Sequence, residues 1–192
     1  STYIMAPLMM GLAFCAEPIV RLVLTDKWLA CVPFLRIFCI TYMFYPIHTA
    51  NLNAIKAMGR SDLFLKLEIA KKIVGMALLL STMWFGVMAM AYSLLVSSVT
   101  SQIINSWPNR KLLNYRYLDQ LKDILPGIAL AIFMGCCVNL VALLHLSNTV
   151  TLLIQIPMGA AIYIGASAAL HLESYEYLID LIRTAWKRFT KR

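Results

Sequence analysis

Charged residues are scarce in this chain: they make up 14% of its 192 residues, whereas soluble domains contain about 25%. Hydrophobic residues make up 61%, against about 45–50% in soluble domains, and the mean hydropathy is +0.75. This balance is wrong for a soluble globular fold. The composition instead predicts an all-α, polytopic helical membrane protein.

Residue patterns that carry catalysis or bind metals are missing as well. The five cysteines form no CxxC pair, so we interpret them as small apolar packing residues. The three histidines, His48, His145 and His171, are too far apart for a metal-binding motif such as HExxH. There is also no Gly-Lys-Ser/Thr phosphate loop and no GxSxG turn. We therefore expect no enzyme activity, no cofactor and no metal in this stretch.

The net charge of +8 would ordinarily suggest nucleic acid as a partner. Here the bases flank apolar segments, so anionic headgroups of a phospholipid bilayer or an anionic lipid substrate explain them better, and we expect no nucleic acid. The sequence begins at Ser1, and no basic segment or small-residue cleavage site of a signal peptide follows. We expect a piece of a longer polypeptide.

Six apolar segments are predicted to cross a membrane, because a spanning helix needs about 20 mostly apolar residues. Glu17-Pro18 and Arg21 interrupt the first segment, and Glu17 and Arg21 are spaced as a helical ion pair. Pro33 and Pro46 predict kinks in the second. In chain order the segments are 3–24, 29–58, 62–85, 87–107, 124–146 and 149–170.

Turn signals separate these segments. Gly59 should end the second helix, and Ser61 is the predicted N-cap of the third. Gly86 predicts a tight turn, and Pro108-Asn109 predicts the end of the fourth helix. A hydrophilic connector over 110–123 and a short turn at 147–148 complete the pattern.

Positive charge lies mostly on one side of this arrangement. Fourteen of the 17 lysines and arginines fall in 56–72, 110–122 and 183–192, which alternating helices place on the same side. Only Arg21, Lys27 and Arg36 lie towards the other. The positive-inside rule then predicts a multi-pass protein of the bacterial inner (cytoplasmic) membrane with a cytoplasmic C-terminus.

Two regions follow: a transmembrane bundle over 1–171 and a basic amphipathic tail over 172–192. Apolar residues recur on one face of a helix predicted over 173–189, with acids in its first turns and bases in its last. That face is formed by Tyr175, Leu178, Ile179, Ile182, Trp186 and Phe189. The tail is interpreted as a helix on the membrane surface, or as a helix docked on a part of the protein beyond this sequence.

The third segment contains charges at membrane depth. If a span of 20 residues ends at Phe85, Lys71 and Lys72 lie about 8 Å inside the membrane core. Glu68, Lys71, Lys72 and Gly75 share one face. This face could form the cationic wall of a cavity for an anionic substrate, or the lysines could extend to the interface. We keep both interpretations open.

Polar residues also follow the second segment. Arg36, His48 and Asn51 share a broad face, whereas Asn53 points away from Asn51. Such a line on a kinked helix is typical of a substrate path, and for His48 an interhelical hydrogen bond is favoured over a proton relay. Small residues spaced four apart predict close helix packing; they are Ala89, Ser93, Ser97, Ser101 and Asn105; Gly127, Ala131, Gly135 and Asn139; and Ala161, Gly165 and Ala169.

Several motifs resemble polysaccharide-transport-type flippases, the group of Wzx-type O-antigen and colanic-acid exporters within the multidrug/oligosaccharidyl-lipid/polysaccharide exporter superfamily. The resemblance is dense over about residues 5–75 and diffuse beyond. The motifs are Pro7–Leu22 with Glu17-Pro18, Lys27-Trp28, Val32–Ile37, Ala54–Asp62, Leu65–Ile69 and Lys71-Lys72.

The resemblance implies a fold of two helical lobes, of which this chain would be most of the C-terminal one, without the N-terminal lobe. It also implies movement of an undecaprenyl-pyrophosphate-linked oligosaccharide across the inner membrane by alternating access. Clustered bases suit a pyrophosphate. The candidate cavity cations are Arg36, Lys56, Arg60, Lys66, Lys71 and Lys72, with His48, Asn51 and Glu68 as supporting polar groups.

Two other functions stay open. A cation-coupled multidrug extruder of the same superfamily would favour acidic over basic residues in its cavity. A non-transporting membrane scaffold for glycan synthesis would explain a surface-bound tail without catalytic motifs.

Overall fold

The structure, a computed structural model, describes residues 1–112, 117–142, 147–170 and 172–190, with side chains except at 109–112, 182 and 185–190. This part of the chain is all-helical and contains no strand, as predicted. Short 3₁₀ turns cover Asp26–Cys31 and Met83–Phe85. The α-helices are α1 (Thr2–Phe14), α2 (Ala16–Val23), α3 (Val32–Met43), α4 (Tyr45–Ala57), α5 (Ser61–Thr82), α6 (Val87–Leu112), α7 (Tyr117–Ala142), α8 (Asn148–Ala169) and α9 (Glu173–Thr190).

Four or five stretches of the described helices are long and apolar enough to cross a membrane. Four qualify outright: Asp26–Ala57, Val87–Pro108, Tyr117–Ala142 and Asn148–Ala169. The bent pair of α1 and α2 would be a fifth. The chain is therefore a multi-pass membrane protein, but the predicted count of six is not confirmed. The predicted segment that does not qualify is the third, which forms α5, because its charged residues lower its hydropathy.

The first predicted segment is broken between α1 and α2, whose axes differ by 66°. Pro18 stands in the first turn of α2, where a residue without an N–H is tolerated although it cannot continue a preceding helix. The predicted pair is confirmed: Arg21 lies 3.0 Å from Glu17. Arg21 also contacts Asp26 at 2.9 Å, which ties α2 to the turn that follows.

The second segment contains two helices that meet at Phe44. Pro46 lies in the first turn of α4, so the helix is interrupted next to the position where a kink is predicted. Pro33 begins α3 after the 3₁₀ turn and does not kink a continuous helix, because the helix has not yet started.

Gly59 ends α4 as predicted, with a φ of +70°. The Gly59 N–H donates a hydrogen bond to the Lys56 carbonyl, and the Arg60 N–H donates one to the Ile55 carbonyl. These two bonds form a Schellman motif. The prediction of Ser61 as an N-cap is wrong. Ser61 is already helical and Arg60 occupies the cap position without a side-chain cap bond, because the Schellman turn leads into α5 one residue earlier.

The turn at Gly86 is confirmed, with a φ of +92°. The predicted helix end at Pro108 is wrong, because α6 continues through it to Leu112. A proline removes only its own N–H bond and crowds one carbonyl, which a long helix can absorb with a local kink. The connector predicted over 110–123 is mostly helical where it is described, since α7 begins at Tyr117. Residues 113–116 and the end of the fifth segment, 143–146 with His145, lie outside the described residues, as does His171.

The main apolar core lies where α1, α7 and α8 meet, around Ala6, Met10, Met134, Val138 and Leu152. The small-residue prediction holds for α7: Ala131 is fully buried, and a Cβ on Gly135 would overlap the Phe14 ring.

The corresponding stripe of α8 does not pack within the described part of the chain. Ala161, Gly165 and Ala169 are exposed, and no atom lies within 4 Å of a Cβ built on Gly165. The buried face of α8 instead carries Gly159 and Tyr163, and the Tyr163 hydroxyl donates a 2.8 Å hydrogen bond to the Tyr3 carbonyl.

Candidate functional site

Buried polar side chains lie on four helices, α4 to α7, and several of them are hydrogen-bonded to one another. We call this group the polar cluster. Tyr117 of α7, Glu68 of α5 and His48 of α4 border it and are partly exposed. Its buried members are Asn51 of α4, Lys71 of α5, Gln102, Asn105 and Ser106 of α6, and Gln120 of α7.

Asn51 joins three helices. Its side-chain amide donates hydrogen bonds to the Gln120 oxygen at 2.8 Å and to the Ser106 hydroxyl at 3.2 Å. Ser106 in turn donates to Gln120 at 3.3 Å. Because all three residues are buried, these bonds fix how α4, α6 and α7 meet at this end of the bundle.

His48 is linked to α6 one turn before Asn51. Its Nδ1 lies 2.8 Å from the amide nitrogen of Asn105, which is fully buried, and its ring stacks on Tyr45. The interhelical hydrogen bond predicted for His48 is therefore present. Helix α5 also packs against α4.

Lys71 is a buried cation whose ammonium lies 2.5 Å from the Glu68 carboxylate on the same helix. The Lys71 side chain is 7% exposed and that of Glu68 is 30% exposed. A buried ammonium needs a partner because desolvation is costly, and Glu68 supplies it. One carboxylate uses only part of the ammonium's capacity to donate three hydrogen bonds, so the same group could also bind an anion.

Close approach of α5 to α6 keeps Lys71 on the inner side. A Cβ on Gly75, one turn after Lys71, would lie 3.2 Å from the Ser97 hydroxyl. The predicted serine stripe of α6 thus packs against α5 at Ser97, while Asn105 at its end bonds to α4. In the described part of the chain, this stripe therefore makes contacts between helices.

Arg36 stands apart from the cluster. Its Nε donates a 3.3 Å hydrogen bond to the carbonyl of Ala13, in the last turn of α1. Carbonyls at a helix end lack an intrahelical partner, so Arg36 supplies one at the break between α1 and α2. The structure therefore places Arg36 at a bend in the fold, away from the other candidate bases.

Lys56 and Arg60 are exposed at the α4–α5 turn. The Lys56 ammonium lies 4.4 Å from the centre of the Phe64 ring, a cation–π contact. Arg60 pairs with Asp62 at 3.2 Å, and this hydrogen bond raises the pKa of the Arg60 guanidinium. Both lie at the turn between α4 and α5 and are not members of the polar cluster.

Lys66 and Lys72 are also exposed, whereas Lys71 is buried. Lys72 borders a stripe of exposed apolar residues that runs along the helix. The stripe consists of Leu65, Ile69, Ile73, Met76 and Leu80. Of the six candidate cations, only Lys71 is brought into the polar cluster.

Sequence reasoning missed Gln102, Ser106, Gln120 and Tyr117. Gln120 and Tyr117 fall in the stretch interpreted as a hydrophilic connector, and Ser106 lies just before Pro108, the predicted helix end. Gln102 is one residue out of step with the serine stripe, and it accepts a 3.4 Å bond from Tyr117. A signal was present nonetheless: three polar residues within one turn and a half, at 102, 105 and 106, at the end of an apolar helix.

The cluster offers a positive charge, amide and hydroxyl donors and acceptors, and one carboxylate. These groups can bind an anion or a hydroxylated molecule by charge-assisted and neutral hydrogen bonds. Among the described residues, no group of three or more His, Cys, Asp or Glu side chains is arranged to hold a metal ion.

Comparison with known proteins gives one match. The sequence model of a family described as "Polysaccharide biosynthesis protein" matches residues 1–33, which form α1, α2 and the 3₁₀ turn. No curated protein and no solved structure matches the chain. The match supports a relationship to membrane proteins of polysaccharide biosynthesis and is compatible with a polysaccharide-related transporter.

Proposed function

We propose that this chain is part of a flippase that moves undecaprenyl-pyrophosphate-linked oligosaccharide from the cytoplasmic to the outer leaflet of the bacterial inner membrane by alternating access. The protein would act in the synthesis of a surface polysaccharide such as lipopolysaccharide O-antigen. The observation that carries the proposal is the buried Lys71 in a polar cluster of a chain that matches a polysaccharide-biosynthesis family over residues 1–33.

Membrane embedding of α5 is the first step. Its exposed apolar stripe runs from Leu65 to Leu80, about 22 Å along the helix, which approaches the thickness of a hydrocarbon core. A stripe of this length on the outer side, with Lys71 and Glu68 on the inner side, is typical of a span that faces both lipid and a polar interior. We therefore count α5 as the sixth span in this proposal.

Recognition of the pyrophosphate is the second step. The ammonium of Lys71 is held by one carboxylate, and an incoming pyrophosphate would be a second, more highly charged partner. Lys56 and Arg60, exposed at the turn between α4 and α5, would attract the same headgroup towards the cluster. The remaining candidates, Arg36, Lys66 and Lys72, have no part in this proposal.

Substitution of Lys71 tests the proposal in the full-length protein. Lys71→Met keeps the stem and removes the charge, and a charge-assisted hydrogen bond is worth about 1.5–3 kcal/mol, which is roughly 10–100-fold. We expect surface glycan export to fall by that factor, measured in cells that lack their own copy of the transporter. Lys72→Met is the matched control, because it removes an equal charge from the exposed side of α5.

Two comparisons make the result decisive. Lys71→Arg should restore part of the export, since it returns a positive charge to the site. If Lys71→Met exports glycan normally at an equal amount of membrane-inserted protein, Lys71 does not bind substrate. If cells lose resistance to cationic dyes instead, with glycan unchanged, the multidrug extruder is the better reading.

A further inference from the structure

The last helix, α9, begins directly after the α8 span. Only three residues separate Ala169 from Glu173. Leu172 bonds on both sides: its N–H donates to the Ser167 carbonyl at 3.3 Å and its carbonyl accepts from the N–H of Tyr175 at 2.8 Å. The start of α9 is thus fixed at the end of a membrane-spanning helix, with no long linker between them.

Beyond its first turns, the side chains of α9 that the structure describes, at 181, 183 and 184, are exposed. Glu173, Tyr177 and Leu178 border a cavity of about 840 Å³ that Tyr3 and Lys122 line from the other side. Further along, Leu181 is 52% exposed and Arg183 is exposed. An 18-residue helix is about 27 Å long, so most of its length extends past this cavity.

Acidic and basic residues are also separated along the tail. All three of its acids, Glu173, Glu176 and Asp180, come before Leu181. From residue 182 to the last residue of the sequence there are five bases and no acid. The bases in this segment are Arg183, Lys187, Arg188, Lys191 and Arg192.

The apolar side of this segment has the composition of an interfacial helix. Ile182, Trp186 and Phe189 follow Tyr175 and Ile179 at helical spacing. Tryptophan is enriched where headgroups meet acyl chains, and bases on the opposite face of such a helix bind anionic lipid.

We propose that the second half of α9, residues 181–190, binds anionic phospholipid at the membrane surface, while its start is joined to the end of α8 through the backbone bonds of Leu172. A helix with a fixed start beside a span and three bases without acids after Leu181 complements a negatively charged leaflet. This binding is independent of what the protein transports.

Hydrogen exchange of the intact chain in lipid nanodiscs tests the inference. Amides of 181–190 should exchange more slowly in nanodiscs that contain phosphatidylglycerol than in nanodiscs of phosphatidylcholine alone, and high salt should reduce the difference. The triple variant Arg183→Gln, Lys187→Gln and Arg188→Gln should lose it, at about fivefold in protection for each base removed, as juxtamembrane bases contribute. The charge-retaining variant Arg183→Lys, Lys187→Arg and Arg188→Lys should keep it.

Three outcomes would overturn the inference. Equal protection in both lipids would mean that only the apolar face matters. Rapid exchange in both would mean that the segment does not bind the membrane. Equal protection in nanodiscs and in detergent would mean that the helix docks on protein. Glycan export is not the readout, so failure here is separate from failure of the proposed transport function.

Discussion

The Lys71 ammonium lies 2.5 Å from the Glu68 carboxylate, and the two residues stand one turn apart on the inner side of α5. Lys72, the next residue, is exposed. Two adjacent lysines of the same sequence motif thus have different surroundings, and this difference makes the pair testable by matched substitutions.

Removal of either partner of the ion pair should destabilise the fold. Glu68→Gln leaves the Lys71 ammonium with a weaker partner, and Lys71→Met leaves the Glu68 carboxylate without its cation. Residues in direct contact usually show a coupling of about 0.5–3 kcal/mol, and we expect the lower half of that range because Glu68 is partly exposed.

A double-mutant cycle measures this coupling by chemical unfolding in mixed micelles. The double variant should lose less than the sum of the single changes. Additive losses would show that the two charges do not stabilise each other, even though they are adjacent.

Asn51 should matter for stability far more than Asn53. Asn51→Ala removes hydrogen bonds to Gln120 and Ser106 inside the bundle and leaves buried groups unpaired, at about 1–3 kcal/mol. Asn53→Ala changes an exposed residue of the same helix and should cost less than about 0.5 kcal/mol. Thermal unfolding in detergent compares the two. Equal effects would argue against the three-helix hydrogen-bond network.

Gly135 and Gly165 should respond oppositely to alanine. A Cβ at Gly135 would overlap the Phe14 ring, so Gly135→Ala should destabilise the protein by about 1–3 kcal/mol, the usual cost of overpacking. Gly165 is an open helical position within the described part of the chain, so Gly165→Ala should stabilise the helix by up to about 1 kcal/mol.

Phe14→Leu offers a check on the cause of the Gly135 effect. A smaller side chain opposite should recover part of the stability lost in Gly135→Ala, but not affect Gly165→Ala. Destabilisation by Gly165→Ala would instead indicate that this surface packs against a further part of the protein.

Arg36 should act on the bend between α1 and α2. Arg36→Met removes the donor that the Ala13 carbonyl uses, at about 1 kcal/mol for a partly buried hydrogen bond. Unfolding of the first helices, followed by hydrogen exchange of α1, should become easier while glycan export per folded molecule stays the same. If Arg36→Met lowers glycan export while hydrogen exchange of α1 is unchanged, Arg36 contacts the substrate and does not act through the bend.

Local chemistry made several features predictable. Gly59 and Gly86 end helices where φ is positive, which most side chains disfavour, and Glu17 and Arg21 pair because four residues make one helical turn. The helix end predicted at Pro108 was wrong because a proline restricts its neighbours but does not by itself end a long helix. The N-cap predicted at Ser61 was wrong because backbone hydrogen bonds close the turn before it, and α5 starts without a side-chain cap.

Composition and spacing by themselves determined that this protein is helical, that it crosses a membrane several times and that α9 has one apolar face. These properties depend on hydropathy and on the period of the helix, both of which are local. Only the tertiary structure decided that Lys71 is buried while Lys72 is not, that Gly135 packs while Gly165 does not, and that Asn51 meets Ser106 and Gln120. Burial of one helix face depends on which neighbour covers it, and that neighbour lies far away in the sequence.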